Sequence, residues 1–116
     1  MDDTLKALIR IYQPNGTDWL NCKLSKKNPY TYHHILEVRN GGKRTIINGA
    51  ILTANAHHFL NVVDLKEHRF YDELNYIFKE LNRTGKPPTE DYYEEVNKIL
   101  VKVKLPNKID LLTFYK

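Results

Sequence analysis

Apolar residues recur at steps of three and four in three parts of the chain, a spacing that predicts helices with one buried face. The first helix is expected over about residues 4–12. One or two helices are expected between about 55 and 82, and the Gly- and Pro-containing cluster 83–88 ends that pattern. A last helix is expected to begin at Thr89, a good N-cap residue, and to be closed by Pro106.

A β-hairpin is expected between the first two helical regions. Residues 30–38 are rich in aromatic and β-branched types and end at Arg-Asn-Gly-Gly over 39–42, which is typical of a turn. The returning arm, 45–52, is again apolar, but the Asn-Gly step at 48–49 predicts a loop or bulge inside it. The stretch 19–28 before the hairpin has no clear period and is expected to be an irregular basic connector.

These patterns indicate one α+β domain over residues 1–116. With 41% hydrophobic and 28% charged residues, the composition is too apolar for a disordered chain. The expected organisation is an N-terminal helix and basic connector over 1–29, a hairpin-helix core over about 30–62, C-terminal helices over 63–104 and a tail over 105–116.

The sequence carries no sign of export or membrane insertion. Its apolar runs are only a few residues long, and its N-terminus is acidic where a signal peptide would be basic. The single cysteine, Cys22, cannot form an intrachain disulfide or supply the Cys pairs of a structural zinc site. We therefore expect a cytoplasmic protein.

The net charge of +4 comes from the first half of the chain. Residues 1–60 carry 8 Lys and Arg against 4 Asp and Glu, whereas residues 61–116 carry 10 of each. A basic bias confined to one half is compatible with a polyanionic partner, although an ordinary soluble surface would give the same count.

Four of the five histidines form two adjacent pairs, His33-His34 and His57-His58. The first pair is expected at the end of a strand and the second in the first turn of a helix, where a hairpin could bring one imidazole of each together around a divalent metal. Alternation along a strand points His33 and His34 to opposite sides, so one can bind metal while the other takes a proton. Asn61 lies four residues after His57, on the same helix face.

Residues 33–61 resemble the HNH endonuclease family, whose ββα-metal motif consists of a histidine, an asparagine and a final histidine or asparagine. The intervals match, with 14 residues from His34 to Asn48 and nine from Asn48 to His57. The Gly-Gly turn and the apolar residues 50–52 are also similar to that family. Many members hold a structural zinc through two Cys pairs, which this chain lacks, so its core must come from packing.

The resemblance implies a role for each matched residue. His34 and Asn48 are the catalytic pair: His34 resembles the general base that deprotonates water, and Asn48 resembles the residue that pins the loop and helps to aim that base. His33 takes the position of the first metal ligand, often Asp in the family, and His57 resembles the helix ligand.

The metal and its last ligand are less well defined by the sequence. Asn61, or alternatively His58, could complete the coordination on the helix. The resemblance implies one divalent ion, Mg²⁺ or Mn²⁺, while a histidine at position 33 makes the site softer and leaves Ni²⁺ or Zn²⁺ open.

The implied activity is hydrolysis of DNA phosphodiester bonds to give 5′ phosphate and 3′ hydroxyl ends, with RNA open as a second substrate. Arg39, Lys43 and Arg44 at the hairpin turn are the expected nucleic-acid contacts, which would hold phosphates without reading sequence. A homodimer is expected only if the enzyme makes double-strand breaks, since one site cuts one strand at a time. The alternative is a catalytically inactive module of this kind that binds nucleic acid or metal.

The richness in Lys, Asn, Ile and Tyr points to an AT-rich genome, such as that of a phage, a mobile element or a low-GC bacterium.

Overall fold

Four α-helices and one two-stranded antiparallel sheet make up the fold in the computed structural model, which describes residues 2–105. The α+β class is therefore confirmed. Most of the predicted tail, 105–116, lies outside the described residues. The elements follow in the order α1 Asp3–Tyr12, β1 Tyr30–His34, β2 Gly49–Thr53, α2 Ala54–Lys66, α3 His68–Thr84 and α4 Glu90–Leu100.

Side-chain caps set the beginning of three helices. The Asp2 carboxylate accepts a hydrogen bond from the backbone N–H of Leu5 at 3.0 Å, which begins α1. The hydroxyls of Thr53 and Thr89 accept equivalent bonds at the beginning of α2 and α4. Helix α3 ends at Thr84 and is followed by Gly85, whose φ of 63° is the left-handed conformation that glycine adopts without strain.

The sheet pairs His33 with Ala50 and His34 with Gly49. The first strand ends at His34 and is shorter than the predicted 30–38, because the backbone of Leu36 bonds to the side chain of Asn48 instead of to a second strand. The interruption expected in the returning arm is confirmed as a single 3₁₀ turn, Ile46–Asn48, after which β2 begins.

All five residues of β2 are buried, because helices cover both faces of the sheet. Helix α1 packs on one face so closely that a Cβ on Gly49 would lie 2.5 Å from both Leu8 and Tyr32. Helices α2 and α3 cover the opposite face, which carries Thr31 and His33. The core therefore surrounds the strand that leads directly into α2.

The connector over 19–28 is irregular, as predicted, but its first residues belong to the core. Trp19 is 1% exposed and its ring lies 4.9 Å from that of Tyr12. The buried carboxylate of Asp18 accepts a hydrogen bond from the backbone N–H of Thr53 at 2.6 Å, the residue that caps α2. Asp18, immediately before the connector, thereby fixes the point at which α2 begins.

Helix α4 ends at Leu100, several residues before the predicted stop at Pro106, which is itself outside the described residues. Val103 lies beyond the helix and is still fully buried. The hydroxyl of Tyr92 donates to the carbonyl of Trp19 at 2.6 Å, so α4 is attached to the connector. None of the helices in residues 2–105 has the length and apolar character needed to cross a bilayer.

Candidate active site

A small cavity of about 200 Å³ opens where β1 ends against α2 and α3. It is lined mainly by polar side chains: His33, His34, Glu37, Val38, His57, Asn61, Asp64 and Tyr71. Four of the residues singled out from the sequence, His33, His34, His57 and Asn61, therefore meet at one place. We call this space the histidine cavity.

His33 is the most buried of the three histidines in the cavity, with 4% of its surface exposed. Its Nε2 lies 2.7 Å from Oδ1 of Asn75 on α3, and its ring centre lies 5.3 Å from that of His57. Burial lowers the pKa of His33 to about 4. The imidazole is therefore neutral at physiological pH, as a metal ligand must be.

His57 occupies the first turn of α2, as predicted, and is partly buried. Its Nδ1 lies 3.0 Å from the hydroxyl oxygen of Thr31, which shares the His33 face of β1. Burial, with a smaller contribution from His34, lowers the pKa of His57 below its ordinary value. His33 and His57 are thus two neutral imidazoles on adjoining elements.

His34 is on the other face of β1 and is only partly covered. Its ring meets that of Tyr32 edge-on with 4.8 Å between centres. Partial burial and the positive charge of Arg44 lower the pKa of His34 below its ordinary value. A neutral, accessible imidazole at the rim of a cavity can accept a proton at neutral pH.

Asn48 does not line the histidine cavity but holds the chain that borders it. Its Oδ1 accepts from the backbone N–H of Leu36 at 2.8 Å, and its Nδ2 donates to the carbonyls of Leu36 and Lys43 at 3.0 and 2.9 Å. These three bonds join the two arms of the hairpin immediately after His34. Asn48 therefore ties the chain after β1 to the chain that leads into β2.

The donor set is compatible with a divalent ion but is small. No group of three His, Cys, Asp or Glu side chains within residues 2–105 is placed to hold a metal. His33 and His57 each have one ring nitrogen outside the hydrogen bonds to Asn75 and Thr31, and the exposed Asn61 adds an amide oxygen. Two imidazoles and an amide, completed by water, suit Zn²⁺ or Ni²⁺ better than Mg²⁺. His58 is exposed and does not line the cavity.

The three basic residues of the hairpin differ in their surroundings. Arg39 lies between two acidic residues of the cavity, pairing with Glu37 and, at 3.6 Å, with Asp64. Arg44 pairs with Asp2 and places its guanidinium 4.2 Å from the centre of the Tyr32 ring. Lys43 is exposed. The two arginines would therefore have to exchange carboxylates for phosphates to bind DNA as predicted.

The sequence does not identify five residues in or next to the histidine cavity: Thr31, Glu37, Asp64, Tyr71 and Asn75. Asp64 could have been found, because it lies seven residues after His57 on the same face of a helix. The sequence does not indicate Tyr71 and Asn75, because the spacing of apolar residues in α3 shows which face of the helix is buried but not which residues of it contact β1.

Comparison with known proteins gives no relative: no family model, no curated protein and no solved structure matches the chain.

Proposed function

We propose that the chain is a divalent-metal-dependent endonuclease of the HNH type, with β1, β2 and α2 as its ββα-metal core and DNA as its substrate. The observation that supports this most strongly is the convergence of His33, His34 and His57 on one small cavity. His33 and His34 lie on opposite faces of β1, and His57 lies on α2, 24 positions after His33. The packing of a hydrophobic core does not require three histidines from these places to line one cavity.

In this proposal His33, His57 and Asn61 hold the ion. When bound, the ion supplies positive charge that offsets the charge developing on the scissile phosphate. His33 contributes a rigid, neutral imidazole because it is buried and tied to Asn75. Asn61 is exposed on α2, so the position of its amide oxygen is less fixed by packing than the two imidazoles are.

His34 takes the proton of the attacking water. The water oxygen forms the new bond to phosphorus, the proton passes to the unprotonated nitrogen of His34, and the bond from phosphorus to the 3′ oxygen breaks. The products are a 5′ phosphate and a 3′ hydroxyl, whose proton comes from solvent. The lowered pKa of His34 supports this role, because its free-base form predominates at neutral pH.

The substrate would reach the cavity over the hairpin. Lys43 is exposed in the loop that Asn48 holds, and Arg39 borders the cavity itself. A phosphate at this position would compete with Glu37 and Asp64 for the guanidinium of Arg39. Such contacts bind backbone, so we expect cleavage with little sequence preference and with strong dependence on salt.

The test is a nicking assay on supercoiled plasmid with EDTA or with Mg²⁺, Mn²⁺, Ni²⁺ or Zn²⁺. Wild type and His58→Ala should nick the DNA with at least one ion, while His34→Ala and His57→Ala should not. His58→Ala is the matched control, since it removes an adjacent, exposed histidine that does not line the cavity. Circular dichroism should show that all four proteins are folded.

Two results would count against the proposal. Cleavage by purified His34→Ala at the wild-type rate would exclude His34 as the base. Intact plasmid with every ion, together with salt-sensitive binding of duplex DNA, would show a binding module that does not cut. The same series with single-stranded RNA separates the two substrates.

A further inference from the structure

The hydroxyl of Thr31 has a single proton, and the partners of its oxygen determine where that proton goes. Thr31 Oγ1 donates to the backbone carbonyl of Leu52 at 2.8 Å, and a carbonyl can only accept. The same oxygen lies 3.0 Å from Nδ1 of His57. Since its only proton is already used, the hydroxyl must accept from His57. The proton of neutral His57 therefore lies on Nδ1 and its lone pair on Nε2.

His33 is held in the opposite way. Its Nε2 lies 2.7 Å from the carbonyl oxygen of the Asn75 amide, which has no proton to give. Nε2 of His33 must then be the donor, which places the proton there and the lone pair on Nδ1. The contact is buried, with Asn75 itself 8% exposed, so water does not compete for it.

Asn75 also lies beside Tyr71, whose phenol pKa is raised by burial to about 12. Neither Asn75 nor Thr31 lines the histidine cavity.

We propose that Asn75 and Thr31 are positioning residues that fix opposite tautomers on His33 and His57, leaving Nδ1 of the first and Nε2 of the second unprotonated. The link from these tautomers to metal binding rests on the function proposed above. A ligand histidine must offer a lone pair at a defined nitrogen, and the partner of its other nitrogen determines which one that is. Asn75 and Thr31 supply these partners from α3 and β1.

The tautomers can be read directly, without metal or DNA, by long-range ¹H–¹⁵N NMR of the imidazoles at about pH 8, where histidines are neutral. In the wild type we expect the proton of His57 on Nδ1 and that of His33 on Nε2. Thr31→Val keeps the shape of the side chain but removes the acceptor, so His57 should lose its preference while His33 keeps its own. Thr31→Ser should restore the wild-type pattern.

Two further variants complete the set. Asn75→Leu should release His33 without altering His57, which makes the two effects independent. Thr45→Val is the matched control, because the hydroxyl of Thr45 makes no hydrogen bond among residues 2–105, and it should leave both tautomers unchanged. A proton on Nε2 of His57 in the wild type, or tautomers that do not respond to Thr31→Val and Asn75→Leu, would overturn the proposal.

Calorimetric titration with Zn²⁺ and Ni²⁺ then tests the link to metal. Loss of a partner behind a ligand histidine typically weakens metal affinity about 10- to 100-fold, and we expect this range for Thr31→Val and recovery in Thr31→Ser. Equal affinity in Thr31→Val and wild type would overturn the positioning role. Expected tautomers in a wild-type protein that binds neither ion would confirm the tautomer assignment and refute the metal site, so the two failures are distinguishable.

Discussion

Replacement of Asn48 by alanine tests how the loop between the two strands is held. The substitution removes three hydrogen bonds at once, one accepted from Leu36 N–H and two donated to the carbonyls of Leu36 and Lys43. The rest of the loop has bonds of its own, since the hydroxyl of Tyr32 donates to the carbonyl of Thr45 at 2.8 Å and the N–H of Gly42 donates to the carbonyl of Glu37. Leu36 and Val38, in contrast, are largely exposed despite their apolar side chains. The attachment of residue 36 to the returning arm should therefore depend mainly on one amide group.

The magnitude follows from the number and exposure of these bonds. A hydrogen bond contributes a net 0.5–1.5 kcal/mol or so, and because water can replace part of each of these three exposed bonds, the expected loss is about 2 kcal/mol. In a domain of this size that corresponds to a fall in Tm of roughly 8 °C. Asn48→Asp should cost at least as much, because it keeps only the acceptor and places a carboxylate against two carbonyl oxygens.

The assay is urea denaturation followed by circular dichroism, with Asn40→Ala as the control. Asn40 is an exposed asparagine of the same loop whose side chain makes no hydrogen bond within residues 2–105. Hydrogen exchange at the amide of Leu36 should accelerate in Asn48→Ala and stay unchanged in Asn40→Ala. A free energy of unfolding for Asn48→Ala within about 0.5 kcal/mol of the control would refute the reasoning.

Three further predictions concern other parts of the fold. Asp18→Asn should lower the free energy of unfolding by about 2–3 kcal/mol. One carboxylate oxygen of Asp18 accepts from the Thr53 N–H and the other from the N–H groups of Leu20 and Cys22, so the NH₂ of an amide would face a donor in either orientation. A change below about 0.5 kcal/mol in chemical denaturation would contradict this. Gly42→Ala should destabilise the fold by about 1–3 kcal/mol, because its Cβ would lie 1.7 Å from the carbonyl oxygen of Leu36; an unchanged Tm would show that the loop yields freely. In metal-free protein, stability should fall as the pH drops from about 6.5 to 4, since the unfolded chain binds a proton at His33 that the folded chain, with a pKa of about 4, does not. The loss of stability due to His33 is roughly 3 kcal/mol at pH 4, and the His33→Gln protein should not show this loss. If the urea midpoints of wild type and His33→Gln fell equally between pH 6.5 and 4, the lowered pKa of His33 would be disproved.

The arrangement of the hairpin and its histidines could be predicted because local rules determine it. Alternation along a strand separates His33 from His34, and the start of a helical period places His57 in the first turn of α2. The Asn-Gly step indicated the break in the returning arm, which the structure shows as a 3₁₀ turn before Gly49. Each of these features depends on residues within a few positions of one another.

The contacts around the site could not be predicted, because they join segments that are far apart in the chain. Asn75 meets His33 across 42 positions, and Asp18 meets Thr53 across 35. Periodicity identifies the buried face of a helix but not its neighbour. The same limit applies to Trp19, since a single aromatic residue outside any periodic pattern gives no sign that it lies in the core.

Asp18 is bonded to the start of α2, and Asn75 is bonded to β1. These two contacts determine whether the histidine cavity could form in an isolated peptide. Residues 30–62 contain His33, His34 and His57 but neither Asp18 nor Asn75, so an excised peptide would leave the N–H of Thr53 and one imidazole without their partners. It would also uncover β2, which is buried on both faces by helices that include α1 and α3. Transfer of this site to another scaffold would therefore require more than the hairpin and one helix, because most of the described chain contributes to its geometry.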